Sequence, residues 1–64
     1  MKNTYEIETW PFTQNFQGDL YDGYIVVIND EAYLINRLTC KKPDFDGSEL
    51  GCIVRALELY NESR

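Results

Sequence analysis

The stretch "PDFDGSELG", residues 43–51, holds the densest set of oxygen donors in the chain, with Asp44, Asp46, Ser48 and Glu49 around Gly47. Alternating carboxylates followed by a glycine resemble the opening of a calcium-binding loop, which needs oxygen ligands at its first and last positions. Setting Gly47 at the obligatory glycine of that loop puts Lys42 first and Ile53 last. An ammonium repels a cation and an alkyl side chain cannot hold one, so the stretch fails as a calcium site. Its spacing suits a helix start instead. Asp46 and Glu49 stand three apart before an apolar periodic run, where an N-cap side chain and an N3 side chain each satisfy a free amide.

The other residues with chemical potential are fewer still. Cys40 and Cys52 are the only cysteines and the chain has no histidine, so it cannot by itself complete a zinc site of four nitrogen or sulfur ligands. In a reducing compartment both are expected as free thiols, Cys52 as an inert one inside an apolar helix pattern. Without histidine, a nucleophile would have to recruit Asp, Glu or Lys as its base. The carboxylate pairs Glu6/Glu8 and Asp44/Asp46 would need a deep, partly dry cleft to separate their pKa values. Gly18, Gly23, Gly47 and Gly51 match neither phosphate-binding glycine pattern. The expectation is a protein with no catalytic residue, no metal ligand and no cofactor, and therefore not an enzyme.

These residues must be carried by very little structure. A chain of 64 residues makes one domain, residues 1–64, and folding at that size buries only about 60% of the surface the unfolded chain exposes. Aromatic residues at 14% and hydrophobic residues at 44% nonetheless give a globular composition. Residues 3–10, "NTYEIETW", alternate Tyr5, Ile7 and Thr9 with Thr4, Glu6 and Glu8, the period of a half-exposed strand, stopped at Pro11. From Pro11 to Asp22 scattered aromatics among polar residues suggest an irregular connection. Residues 23–38 form the clearest element, a β-hairpin turning at Asn29-Asp30 or Asp30-Glu31. It places Tyr24, Val26, Ile28, Tyr33 and Ile35 on one face and Ile25, Val27, Ala32 and Leu34 on the other. A helix over 47–62 gathers Leu50, Ile53, Val54, Leu57, Tyr60 and Asn61 in one sector, with Cys52, Ala56 and Leu59 at its flank.

The fold class expected is α+β: a small antiparallel sheet of about three strands, the hairpin 23–38 plus the N-terminal strand 3–10, with one C-terminal α-helix packed on one face. The helix is expected on the face of Ile25, Val27, Ala32 and Leu34, whose small aliphatic residues would admit close approach. That leaves Tyr24, Val26, Tyr33 and Ile35, joined by Tyr5, as the candidate partner-binding surface, since tyrosine buries large area with two rotatable bonds and a polar tip. Two apolar hairpin faces with one helix to cover them point to a homodimer through those residues, or secondarily through Cys52, Ala56 and Leu59.

Charge narrows the partner. Eleven acidic residues against six basic ones give a net charge of −5, with no basic stripe to neutralise phosphates. The leading function is therefore a small acidic, non-enzymatic protein-binding protein, an inhibitor or modulator of another protein. The alternatives are a nucleic-acid-binding module and a self-associating structural subunit. No segment approaches the ~20 apolar residues of a membrane span and the N-terminus lacks a signal-peptide core, so no membrane partner and a cytoplasmic location are expected. In size, acidity and lack of catalytic sets the chain resembles the small proteins that phages and mobile elements make to inhibit host proteins, anti-CRISPR and anti-restriction proteins among them. The resemblance is one of type, without aligned residues, and it implies a function class but no site.

Overall fold

Two tight turns organise the chain. Gln17-Gly18 has φ values of 53° and 88°, and Asn29-Asp30 has 49° and 71°. Two successive left-handed residues make the two-residue hairpin turn whose twist matches that of the flanking strands. The Asn29 carboxamide oxygen also accepts from the Glu6 amide at 2.9 Å, and that of Asn15 from the Gly18 amide at 3.3 Å. The computed structural model describes residues 4–64 and is α+β, with β1 (Ile7–Phe16), β2 (Asp19–Ile28), β3 (Glu31–Asn36) and α1 (Glu49–Glu62). The strands form one antiparallel sheet in the order β1-β2-β3. Asn3, where the N-terminal strand was expected to begin, lies outside the described residues.

The first strand is longer than its sequence suggests. β1 runs straight through Pro11 to Phe16, and the expected irregular connection from Pro11 to Asp22 is the second half of β1, a turn and the first part of β2. The ladder explains why proline is tolerated. A two-residue turn closes on a pair that exchanges both hydrogen bonds, here Phe16 with Asp19, and bonded pairs recur at every second position. Phe12–Gly23 and Trp10–Ile25 are therefore bonded pairs, and Pro11 falls between them with its nitrogen turned to the free edge of the sheet. No donor is required there. Because β3 pairs with β2 only from Gly23 to Ile28, the distal part of the β1–β2 hairpin projects alone, and the molecule extends 46 Å along its long axis.

The helix begins slightly later than its sequence suggests. Ser48, not Asp46, is the N-cap, its hydroxyl accepting from the Gly51 amide at 3.0 Å. Asp46 acts one step further back, accepting from the Ser48 amide at 3.0 Å and the Ser48 hydroxyl at 2.7 Å. Those Ser48 bonds hold the Asp46 carboxyl below its ordinary pKa. Ser48→Ala removes the cap and its support together, and is expected to cost about 1–2 kcal/mol of stability in urea titration. An unchanged midpoint would mean that Asp46 caps the helix unaided.

Packing corrects the expected layers. The buried core is Val26, Ile28 and Ile35 from the sheet with Cys52 and Ala56 from the helix. α1 thus covers the face of Tyr24, Val26, Ile28, Tyr33 and Ile35, and leaves the face of Ile25, Val27, Ala32 and Leu34 uncovered. The helix is also turned about its axis from the expected sector, with Leu50 69% and Val54 48% exposed while Cys52 and Ala56 are sealed. Close approach needs small residues on only one of two packed surfaces, and here the helix supplies them. Cys52 and Ala56 let the backbone descend onto β-branched Val26, Ile28 and Ile35, which stand up from the sheet and fill the layer. The segment between β3 and α1 is tied to the same side. Arg37 pairs with Asp22, which lies on that face, and its methylenes lie beneath Gly47.

Candidate interaction surface

The uncovered face of the sheet is assembled in rows by the strand register. Glu8, Val27 and Ala32 form one row, Trp10, Ile25 and Leu34 the next, then Phe12, Gly23 and Asn36, with Gln14–Tyr21 and Phe16–Asp19 on the projecting hairpin. Trp10, Phe16 and Leu34 are 57%, 55% and 48% exposed. Phe12, Tyr21, Ile25 and Val27 are half-buried among them. Phe12, Gln14, Phe16, Tyr21 and Leu34 line a shallow hollow where the hairpin leaves the body of the sheet. Contiguous exposed aromatic and aliphatic surface of this kind marks sites of association, whereas isolated exposed apolar residues do not. A second apolar recess lies on the outer side of the helix, lined by Phe45, Leu50 and Val54 beside Lys42 and Glu58.

Charge is distributed unequally between the layers. Among the described residues, the only charged ones in the rows of the uncovered face are Glu8 and Asp19, with Glu6 and Asp30 beside Glu8 at one end. Among the described residues the paired basic side chains belong to the helix layer. Lys42 and Arg55 both reach Glu58, at 3.1 and 3.3 Å, Arg64 pairs with Glu31, and Arg37 with Asp22. These partners hold the carboxyls below their ordinary values, chiefly through hydrogen bonds from Arg37 to Asp22, from Arg64 to Glu31 and from Lys42 to Glu58. Exposed pairs of this sort contribute little each. Their consequence is that, among the described residues, the charges on and beside the uncovered face are acidic.

The residues expected to bind a partner have mostly been taken into the fold. Val26 and Ile35 lie beneath the helix, so neither can meet a partner while the helix is docked. Tyr24 and Tyr33 pack against that core, and the Tyr33 hydroxyl donates to Glu31 at 2.9 Å. Tyr5 stands at the border, its ring edge-on to Tyr60 with centroids 5.8 Å apart. The second expected surface is closed as well, because Cys52 and Ala56 are buried and Leu59 packs against them. Burial pushes the Cys52 thiol up, away from the thiolate needed for reaction. Among the described residues, no three His, Cys, Asp or Glu side chains gather as a metal would require.

The surface the sequence reading missed had a signal in it. Trp10, Phe12, Gln14 and Phe16 alternate strictly with Pro11, Thr13 and Asn15, and a Gln-Gly pair follows, a two-residue turn with glycine at its second position. Reading Pro11 as a stop hid that alternation. No family model, no curated protein and no solved structure matches this chain.

Proposed function

We propose that the chain is a protein-binding module whose uncovered sheet face receives an apolar patch bordered by basic side chains on another protein. The observation that carries this reading is the row Trp10–Ile25–Leu34, continued by Phe12 and Phe16, with Trp10, Leu34 and Phe16 exposed and Ile25 and Phe12 half-buried between them, set between Glu8 and Asp19 with no basic residue among the described positions of that face. Large aromatics at the centre of a desolvated patch supply most of the affinity in such contacts, and a charged rim selects partners of opposite sign. The same rim repels phosphate, which sets nucleic acid aside although exposed aromatics on a sheet are able to stack bases. A ligand of this size would act by occupying a surface, as an inhibitor or modulator does.

Trp10 provides the assay, since it is the only tryptophan in the chain and sits on this face. Its emission is expected to shift to the blue when a partner captured from the source cells is added back. Trp10→Ala is expected to weaken that capture about 30-fold or more, the effect of losing a hot-spot side chain worth ~2 kcal/mol. Tyr33→Phe, on the covered face, should leave capture unchanged. Equal capture by Trp10→Ala and wild type would remove this face from the interaction. Retention of nucleic acid that falls steeply with salt would replace the protein-binding reading.

A further inference from the structure

The sheet has two edges, and only one of them is open to another strand. The turn Asn29-Asp30 closes on Ile28–Glu31, and the Arg37 amide donates to the Asp22 carbonyl at 2.8 Å just beyond the other end of β3. Between these fixed points the bonded pairs are Val26–Tyr33 and Tyr24–Ile35, so the backbone groups of Ala32, Leu34 and Asn36 point outward. Ala32 and Leu34 are exposed, and none of these outward positions carries a charge or a proline. β1 presents Pro11 at an outward position of the opposite edge, a common way of stopping a strand from recruiting another.

We propose that β3 joins β3 of a second copy, antiparallel about a two-fold axis at Leu34, to make one continuous sheet from two three-stranded halves. Charge selects this register. With Leu34 opposite Leu34 of the second copy, Ala32 meets Asn36 and Glu31 meets Arg37, opposite charges at both ends of the seam. The two side chains are 45% and 44% exposed and lie on the same face of the sheet, and each already has a partner in its own copy, Glu31 in Arg64 and Arg37 in Asp22, so the contacts across the seam join those pairs into a four-membered network at each end. An axis at Tyr33 would set Glu31 against Ile35, and an axis at Ile35 would set Arg37 against Tyr33, and neither joins opposite charges. The Asn36 carbonyl accepts from the Cys40 amide at 3.0 Å and more weakly from the Thr39 amide at 3.4 Å, so the incoming Ala32 amide would take the place of the longer of these two bonds. Pro11 closes the assembly at two copies, because the outer β1 edges cannot recruit a third. The row Trp10–Ile25–Leu34 then runs on into Leu34, Ile25 and Trp10 of the second copy, and the uncovered face doubles in width. This pairing does not depend on what that face binds.

The test is sedimentation equilibrium of the full chain over a concentration series, joined to amide exchange. The wild type is expected to rise from 7.5 kDa to twice that mass, with the Ala32 and Leu34 amides becoming slower to exchange as concentration rises. Leu34→Pro removes an amide the monomer does not use, and is expected to stay at single mass with an unchanged far-ultraviolet spectrum. Leu34→Lys, which keeps the amide but sets two ammonium groups together at the axis, covers the case in which the proline variant does not fold, and should also remain single. A wild type that stays at 7.5 kDa at the highest concentration overturns the proposal. So does doubling without slower exchange at Ala32 and Leu34, or a folded Leu34→Pro or Leu34→Lys that doubles as the wild type does.

Discussion

Ile28→Ala is expected to leave a large fraction of the protein unfolded at room temperature, while Ile25→Ala in the same strand leaves it folded. Ile28 is fully buried against the helix, and truncating a buried isoleucine costs ~2–5 kcal/mol through lost transfer energy and the cavity left behind. A fold of this length holds only about 3–10 kcal/mol in total, at ~0.05–0.15 kcal/mol per residue. Ile25 points to the uncovered face, where it is half-buried beside exposed Trp10 and Leu34, so its truncation opens no sealed cavity and should cost ~1 kcal/mol. Urea denaturation of the two variants reads the difference directly. If Ile25→Ala loses as much as Ile28→Ala, the helix does not cover the face assigned to it.

Gly23→Ala should be comparably severe, though only one methyl group is added. Gly23 is buried in the central strand, and a Cβ there would run into the backbone carbonyl of Ile35 and approach the Arg37 amide to 3.2 Å. Backbone in a ladder cannot rotate away as a side-chain tip can. β3 would have to withdraw at the end held by the Arg37-to-Asp22 backbone bond and by the Arg37–Asp22 ion pair. Overpacking of this kind costs ~3 kcal/mol. At roughly 4–8 °C per kcal/mol for a domain of this size, the melting temperature should fall by on the order of 15 °C. Gly18→Ala serves as the comparison, since a Cβ there meets nothing within 4 Å and the cost is only that of a left-handed φ of 88°. It should lower stability by ~1 kcal/mol. A Gly23→Ala variant that melts with the wild type would mean that β3 has slack at this point of the ladder.

Both variants concern choices that local sequence rules state incompletely. The hairpin at Asn29-Asp30 was legible because each turn residue tolerates positive φ and the flanking runs have the period of a strand. The helix start was legible to within two residues, because "PDFDGSEL" holds two side chains able to cap, Asp46 and Ser48, and only the three-dimensional path of the turn assigns the cap to Ser48. Pro11 misled for a definite reason. Proline forbids a donor, but whether a donor is required depends on the side of the ladder it faces, and that phase is set by the Gln17-Gly18 turn six residues away.

By itself, then, the sequence determined the fold class, a three-stranded antiparallel sheet with one C-terminal amphipathic helix, and a net acidic charge without histidine. It also determined that the hairpin would have two apolar faces, since both sets of alternating positions in 23–38 are aliphatic or aromatic. What it left open was which face the helix would take, and therefore which apolar residues remain at the surface. Period-two alternation is symmetric under exchange of the two sides of a sheet, so no pattern within a strand distinguishes inside from outside when both sides are apolar. Tertiary packing broke that symmetry. Cys52 and Ala56 gave the helix a small-residue stripe that closes onto Val26, Ile28 and Ile35, and Arg37 held the connecting segment on that side through Asp22. The tyrosines became the margin of a core, and Trp10, Phe12, Phe16 and Leu34 were left on the surface because the one helix had already been spent on the opposite face.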